Sequence, residues 1–212
     1  TLNHLLPTVS KEYITCYDLE SFYLATQKCF KDVLEISDIA IFLDSKLLPG
    51  SRLGSYALYN PSESASGASI LNNDAFISYI KEKRHTVFMK DIPHSLTNSI
   101  DLFEAQICIP CFNNENLLCI LFVGNKLAED PYRSDDFVFF DTLSSQVTIL
   151  LERIKPFEKV KADFKKTKAY AEKASQQEAF AQLSMGIAHE IRNPMSNLLL
   201  RCDIIEKKLD DK

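Results

Sequence analysis

The sequence predicts an α+β fold, an antiparallel sheet with flanking helices over residues 1–155, followed by a long C-terminal helix. Three observations carry this. Short runs rich in Ile, Phe, Leu and Val alternate with stretches of helical periodicity. Two of those runs, "AQICIPCF" at 105–112 and "LLCILFVG" at 117–124, are joined by "NNEN", an Asn-rich hairpin turn that demands antiparallel pairing. Beyond Pro156 the composition changes, with six lysines and no Gly or Pro over residues 157–179, which favours uninterrupted helix.

The elements follow in order. The start, "TLNHLLPTVS", has neither the charged nor the apolar region of a signal peptide. From Asp18, an available N-cap, the positions Leu19, Phe22, Tyr23, Thr26, Phe30, Val33 and Leu34 keep helical spacing and predict a helix to about Glu35. Strands are expected at "DIAIFL" (38–43), "LGSYALY" (53–59), "TVFMK" (86–90), 105–112 and 117–124, five in all. "NPSESASGAS" (60–69) reads as a loop, and "NNDAFISYIKEKR" (72–84) as a short helix capped by Asn73. After "NKLAEDPYRSDD" a further helix begins, with Ser134 as cap and Asp135 and Asp136 at its positive end. Phe137, Phe140, Val147, Leu151 and Ile154 form its buried stripe.

In residues 156–179, Phe157, Val160, Phe164, Thr167, Ala171 and Ala174 keep a heptad alternation that predicts a two-stranded coiled coil, hence a homodimer through residues after Lys155. The small Ala seam, with Glu178 next, makes this a marginal connector able to change twist. Over 180–212 a second stripe, Phe180, Leu183, Ile187, Ile191, Leu198, Ile205 and Leu209, takes over one residue out of phase.

Composition excludes several functions. A net charge of -5 argues against nucleic acid or an anionic membrane as partner. No apolar run reaches the ~18 residues of a membrane span. Six cysteines among aliphatic neighbours read as buried small hydrophobes of a reducing compartment, so the cytoplasm is the expected location. The chain starts with Thr1 and stops inside a helical pattern at "LDDK", and reads as a piece of a longer protein. Cys108 and Cys111 of "CIPC" sit three apart in a strand and point to opposite faces, so no metal site is expected there. His85 and His94 read as surface or turn residues rather than haem ligands. The stretches 60–75 and 91–104 are the loops that would wall any ligand pocket.

Chemistry concentrates in "SMGIAHEIRNPMS", residues 184–196. At 100° per residue, with Ile187 towards the core, His189 lies about 200° away, Asn193 about 240° and Glu190 about 300°. His189 and Asn193 are stacked one turn apart on the exposed face with Glu190 alongside. Pro194 cannot donate to the Glu190 carbonyl, which costs about 3 kcal/mol in an ideal helix, and predicts a bend beneath the histidine. Position 193 is an amide, so H-E-x-x-H zinc chemistry is absent.

"FAQLSMGIAHEIRNPMSNLLL" (180–200) resembles the H-box of bacterial sensor histidine kinases, and residues 15–155 are similar to GAF sensor domains in strand order, in the "IPCFNNENLLCILFVGNK" hairpin and in the "YRSDDFVFFDTLSSQVTILLER" helix. The resemblance implies that His189 attacks the γ-phosphate of ATP through Nε2, Glu190 takes the Nδ1 proton, Asn193 orients a water for dephosphorylation, and Pro194 supplies the bend. It implies transfer of the phosphoryl group to an aspartate of a response-regulator receiver domain, with Mg²⁺ required. Gly50, Gly54, Gly67, Gly124 and Gly186 form no nucleotide-cradling cluster, so ATP and Mg²⁺ would be held outside this chain. The GAF-like part would bind an unidentified small molecule; "NKLAEDPYRSDD" departs from the cyclic-nucleotide GAF pattern at Tyr132 and Asp136 and reads as a generic strand-to-helix turn. Two rivals stand beside this reading: a non-catalytic GAF ligand-binding and dimerisation module, and a thiol or metal sensor built on "CIPC".

Overall fold

The computed structural model describes the chain apart from residues 1, 49–53, 63–67, 98–103, 129 and 211–212, and for residues 3, 179, 181–184 and 186–210 it describes the backbone. Two units divide the chain, Thr1–Lys161 and Ala162–Lys212. The first holds a six-stranded sheet, β1 (Ile39–Asp44), β2 (Ser55–Leu58), β3 (Ser69–Leu71), β4 (Val87–Phe88), β5 (Ile107–Asn113) and β6 (Asn116–Val123). Its order is β3-β2-β1-β6-β5-β4, with every neighbouring pair antiparallel. The second unit is helical to Asp210.

Among the described residues six strands stand where five were expected. The extra one, β3, is the three-residue end of the Ser-rich stretch, where Ile70 alone turns inward. Three residues are too few to show a period of two. β4 is cut to Val87–Phe88 because a 3₁₀ turn, Met89–Asp91, takes over the rest of "TVFMK". The β5–β6 hairpin closes as its turn chemistry demands: Asn113 pairs with Asn116, and Asn114 takes φ 51° between them. Both faces of the central strands are covered, which is why β6 reads as a continuous apolar run rather than an alternation.

One face carries Ile41, Leu43, Ile109, Leu121 and Val123 against α1 (Leu6–Ile14), α2 (Leu19–Lys28) and the start of α5 (Ser134–Asp210). The other packs Phe42, Tyr56, Ile120 and Phe122 against α3 (Ala75–Lys83), beside which lies the single turn α4 (His94–Thr97). α1 was not foreseen. Its inward residues are Val9 and Tyr13, one turn apart, and Pro7 sits in its first turn, where a missing N–H costs nothing.

Asp18 caps α2 through a reciprocal pair: the Ser21 N–H donates to Asp18 Oδ1 at 2.9 Å and the Asp18 N–H donates to Ser21 Oγ at 3.1 Å. The helix continues as a π turn, Cys29–Val33, and Glu35 ends it with φ 51°. For α3 the cap is Asp74, not Asn73, because the extended residue whose carboxylate reaches the Phe76 N–H (2.8 Å) is one position later. Ser134 likewise is not the cap of α5 but its first helical residue. Asp136 reaches back to accept the Arg133 N–H at 3.1 Å.

α5 is a single helical element of 77 residues, unbroken at Pro156. Phe140, Leu143, Val147, Leu151 and Ile154 form its buried stripe in the first unit, while Phe137 is half-buried against Phe88, ring centroids 4.5 Å apart. Further along, α5 is tied to the α1–α2 connection by polar groups. Arg153 Nη2 donates to the carbonyls of Tyr13 (3.1 Å), Ile14 (3.3 Å) and Cys16 (2.7 Å), completing the end of α1. Glu158 accepts the Leu19 N–H at 3.2 Å, and Lys161 lies 3.6 Å from Asp18. Arg153→Ala is expected to destabilise the fold by about 2 kcal/mol, read as a lower urea midpoint at unchanged m-value, because the carbonyls lose a charged donor. Among the described residues no helix is long and apolar enough to cross a membrane.

Candidate functional site

His189, Glu190, Asn193 and Pro194 all fall within α5, and the backbone is helical on both sides of Pro194. Their side chains lie outside the described residues. Helical backbone is what the one-turn stacking of His189 and Asn193 requires.

In the first unit the strand-to-helix turn before α5 is more than a connector. Lys126 Nζ lies 2.8 Å from Asp136 Oδ2, 3.9 Å from Asp130 Oδ2 and 4.8 Å from the centre of the Tyr132 ring. The Tyr132 hydroxyl donates to the Gly124 carbonyl at 2.8 Å. A side chain at Gly124 would place Cβ 2.8 Å from Ser37 Oγ, so glycine lets the end of β6 pass close to the chain entering β1. Burial alone would raise the Asp136 carboxyl, but the hydrogen bonds from Lys126 and the Arg133 N–H and the nearby ammonium charge hold it below the usual carboxylate range. Burial pushes the Tyr132 phenol up.

Beside this pair opens a hollow of about 500 Å³ between the ends of β4–β6 and the turn, lined by Phe88, Lys90, Gln106, Lys126, Asp130 and Tyr132 among others. The size suits a small ligand. Lys90 lies 4.6 Å from the centre of the Phe88 ring. Sequence reasoning named the turn but not the hollow, because Lys90, Gln106 and Lys126 come from three strand ends that only the sheet order brings together.

The opposite face, towards 60–75 and 91–104, is filled in its described part by Phe42, Phe76 and Phe122. Residues 63–67 and 98–103 of those loops lie outside the described residues. Cys108 joins this core, whereas Cys111 joins the other, as strand alternation dictates. The partner Cys111 does have is Cys119, directly across the hairpin on the same face. Burial, reinforced by the hydrogen bond with Cys111, pushes the Cys119 thiol well up, and burial does the same to Cys108, so both stay protonated and inert at neutral pH. His85 and His94 are exposed, and His85 Nδ1 lies 2.8 Å from the Thr86 carbonyl oxygen.

No family model matches the chain, and no curated protein matches it. Solved structures do. The GAF domain of a phosphoenolpyruvate-protein phosphotransferase from Coxiella burnetii is similar at a TM-score of 0.56 and 16% identity, covering 76% of this chain and 96% of that one. The fold is GAF-like. A second GAF domain, from an Acinetobacter phosphoenolpyruvate-protein phosphotransferase, gives 0.51 and 15%, covering 71% and 92%. Residues 122 to 287 of a methyl-accepting chemotaxis protein give 0.53 and 12%, covering 70% and 98%. At such identities the GAF-like fold is what is shared. The six-stranded sheet and the helices on its two faces are that common part.

Proposed function

We propose that this chain is the sensory and phosphoacceptor portion of a two-component sensor histidine kinase, cytoplasmic and homodimeric through the helix after Lys155. The observation that carries the reading is the H-box spacing of residues 180–200, set in a helix whose first turns belong to the core of a GAF-like unit. A signal received by that unit thus has a continuous helical element leading to the histidine.

In this reading His189, as neutral imidazole, attacks the γ-phosphorus of ATP through Nε2; the P–O bond to ADP breaks and the Nδ1 proton passes towards Glu190. ATP and Mg²⁺ belong to a catalytic domain elsewhere in the protein. Asn193 orients a water for dephosphorylation without itself titrating, and Pro194 loosens the helix beneath. The phosphoryl group leaves to an aspartate of a response-regulator receiver domain. The hollow beside Lys126 is the candidate ligand site: two ammonium groups, a carboxylate and two rings suit a small polar molecule bearing an anionic group.

The test is incubation of the protein in its longest form with γ-labelled ATP and Mg²⁺, wild type beside His189→Gln. Acid-labile, base-stable label is expected in the wild type and none in the variant. If ATP binds but neither chain takes up label, the kinase reading fails and a non-catalytic GAF module replaces it.

A further inference from the structure

We propose that the hollow beside Lys126 takes a small monocarboxylate with an apolar body, and that Lys90, not Lys126, is the cation that holds the carboxylate. The inference deepens the reading of this hollow as the ligand site and rests on it, but not on the chemistry of His189.

The charges around the hollow decide which cation is free. Lys126 Nζ is answered by Asp136 at 2.8 Å and more loosely by Asp130 at 3.9 Å, whose other oxygen lies 3.5 Å from Arg133 Nη2. Two carboxylates thus meet two cations. Lys90 is exposed, and among the described residues it has no carboxylate partner; its ammonium rests 4.6 Å from the centre of the Phe88 ring. A ring face holds an ammonium more weakly than a carboxylate does in a charge-assisted hydrogen bond, so an incoming carboxylate can draw it away. The same acids limit the charge of the ligand. Asp130 lines the hollow, and Asp135 and Asp136 already occupy the first turn of α5. A dianionic phosphate would meet one uncompensated ammonium against these carboxylates, at a helix start whose positive end is taken. A single negative charge is what the balance admits.

The walls are built before a ligand arrives. The Tyr132 hydroxyl is fixed on the Gly124 carbonyl at 2.8 Å. The Gln106 N–H donates to the Val123 carbonyl at 2.7 Å, the Gln106 carbonyl accepts the Met89 N–H at 2.9 Å, and the Asn125 carbonyl accepts the Ser37 N–H at 2.8 Å. With these backbones engaged, the Gln106 and Asn125 amide groups line the hollow with no hydrogen-bond partner among the described residues. Each can donate to a carboxylate oxygen or accept from a further polar group of the ligand. Phe88, Pro131 and Tyr132 supply the apolar wall, and a volume of about 500 Å³ leaves room for a body to lie against it. Phe88 in turn meets Phe137, in the first turn of α5, at 4.5 Å between ring centroids, so a ligand seated on it lies one ring away from the start of that helix.

The test is binding of anthranilate, a fluorescent aromatic monocarboxylate, to the 212-residue chain, beside its neutral amide, anthranilamide; the chain has no Trp to compete with their emission. Wild type is expected to bind the carboxylate about tenfold more tightly than the amide, and Lys90→Gln, at an exposed position, to lose that preference at an unchanged urea midpoint. Amide NMR shifts on adding anthranilate are expected at Gln106, Lys126 and Tyr132. Methyl phosphate is expected to bind Asp130→Asn about tenfold more tightly than wild type. Equal affinity for carboxylate and amide, or a preference that survives Lys90→Gln, overturns the inference and leaves the hollow as a site. Shifts confined to the α3 side of the sheet, or no binding in the millimolar range, overturn both. Methyl phosphate held by wild type as tightly as anthranilate, or no more tightly by Asp130→Asn, overturns the choice of a single charge. All of this is read without ATP, so failure here and failure of the phosphohistidine assay are separate results.

Discussion

Asp136→Ala is expected to lower the stability of the GAF-like unit by about 3 kcal/mol at neutral pH. The Lys126 and Asp136 side chains are 12% and 3% exposed, so removing the carboxylate takes the near partner from a poorly exposed ammonium and leaves it only the more distant Asp130 carboxylate at 3.9 Å. It also removes the acceptor of the Arg133 N–H at the start of α5. The pH dependence gives an independent check. Because the Asp136 carboxyl is held below its usual range in the folded chain, its contribution is complete above the unfolded value of about 3.9 and is lost as pH falls through the folded value. Wild type and variant should therefore differ most near pH 7 and converge in acid. Equal separation of their urea midpoints at pH 7 and pH 3 would show that the carboxylate's charge is not what stabilises the turn.

Phe122→Ala is expected to cost about 3–5 kcal/mol, against a total of about 5–15 for an ordinary domain. Phe122 is buried on the central strand β6, with Phe42 edge-on at 5.4 Å and Phe76 stacked at 5.9 Å. No neighbour can fill the space, since Phe42 is fixed on β1 and Phe76 opens α3. A fall in the thermal midpoint much smaller than that of an ordinary core truncation would mean the face towards α3 closes on the cavity.

How far the sequence spoke for the structure depended on where each signal was stored. "LLCILFVG" and "NNEN" carry their own instructions, a fully apolar run and a turn, and β6 and the hairpin lie where expected. Asp18 was legible as a cap because capping is settled within four residues. Asn73 and Asp74 are both good caps, and only the backbone decides between them. The composition shift at Pro156 marks no break in α5. The anchoring role of Arg153 had no sequence signal at all, since its acceptors are backbone carbonyls far upstream. The motif of residues 184–196, proposed as the phosphoacceptor, is the reverse case. Its spacing is wholly local, so His189, Glu190, Asn193 and Pro194 could be named before any fold was known, whereas the hollow beside Lys126 exists only after β4, β5 and β6 are side by side.

The bond between Arg153 and the end of α1 also decides where this unit begins. A chain trimmed to start at Asp18, just ahead of α2, would keep every strand yet leave the guanidinium facing empty space and uncover the side of α5 that Val9 and Tyr13 help to seal. The amino-terminal segment is therefore a working part of the GAF-like unit, and shortened forms that omit it will misreport its stability.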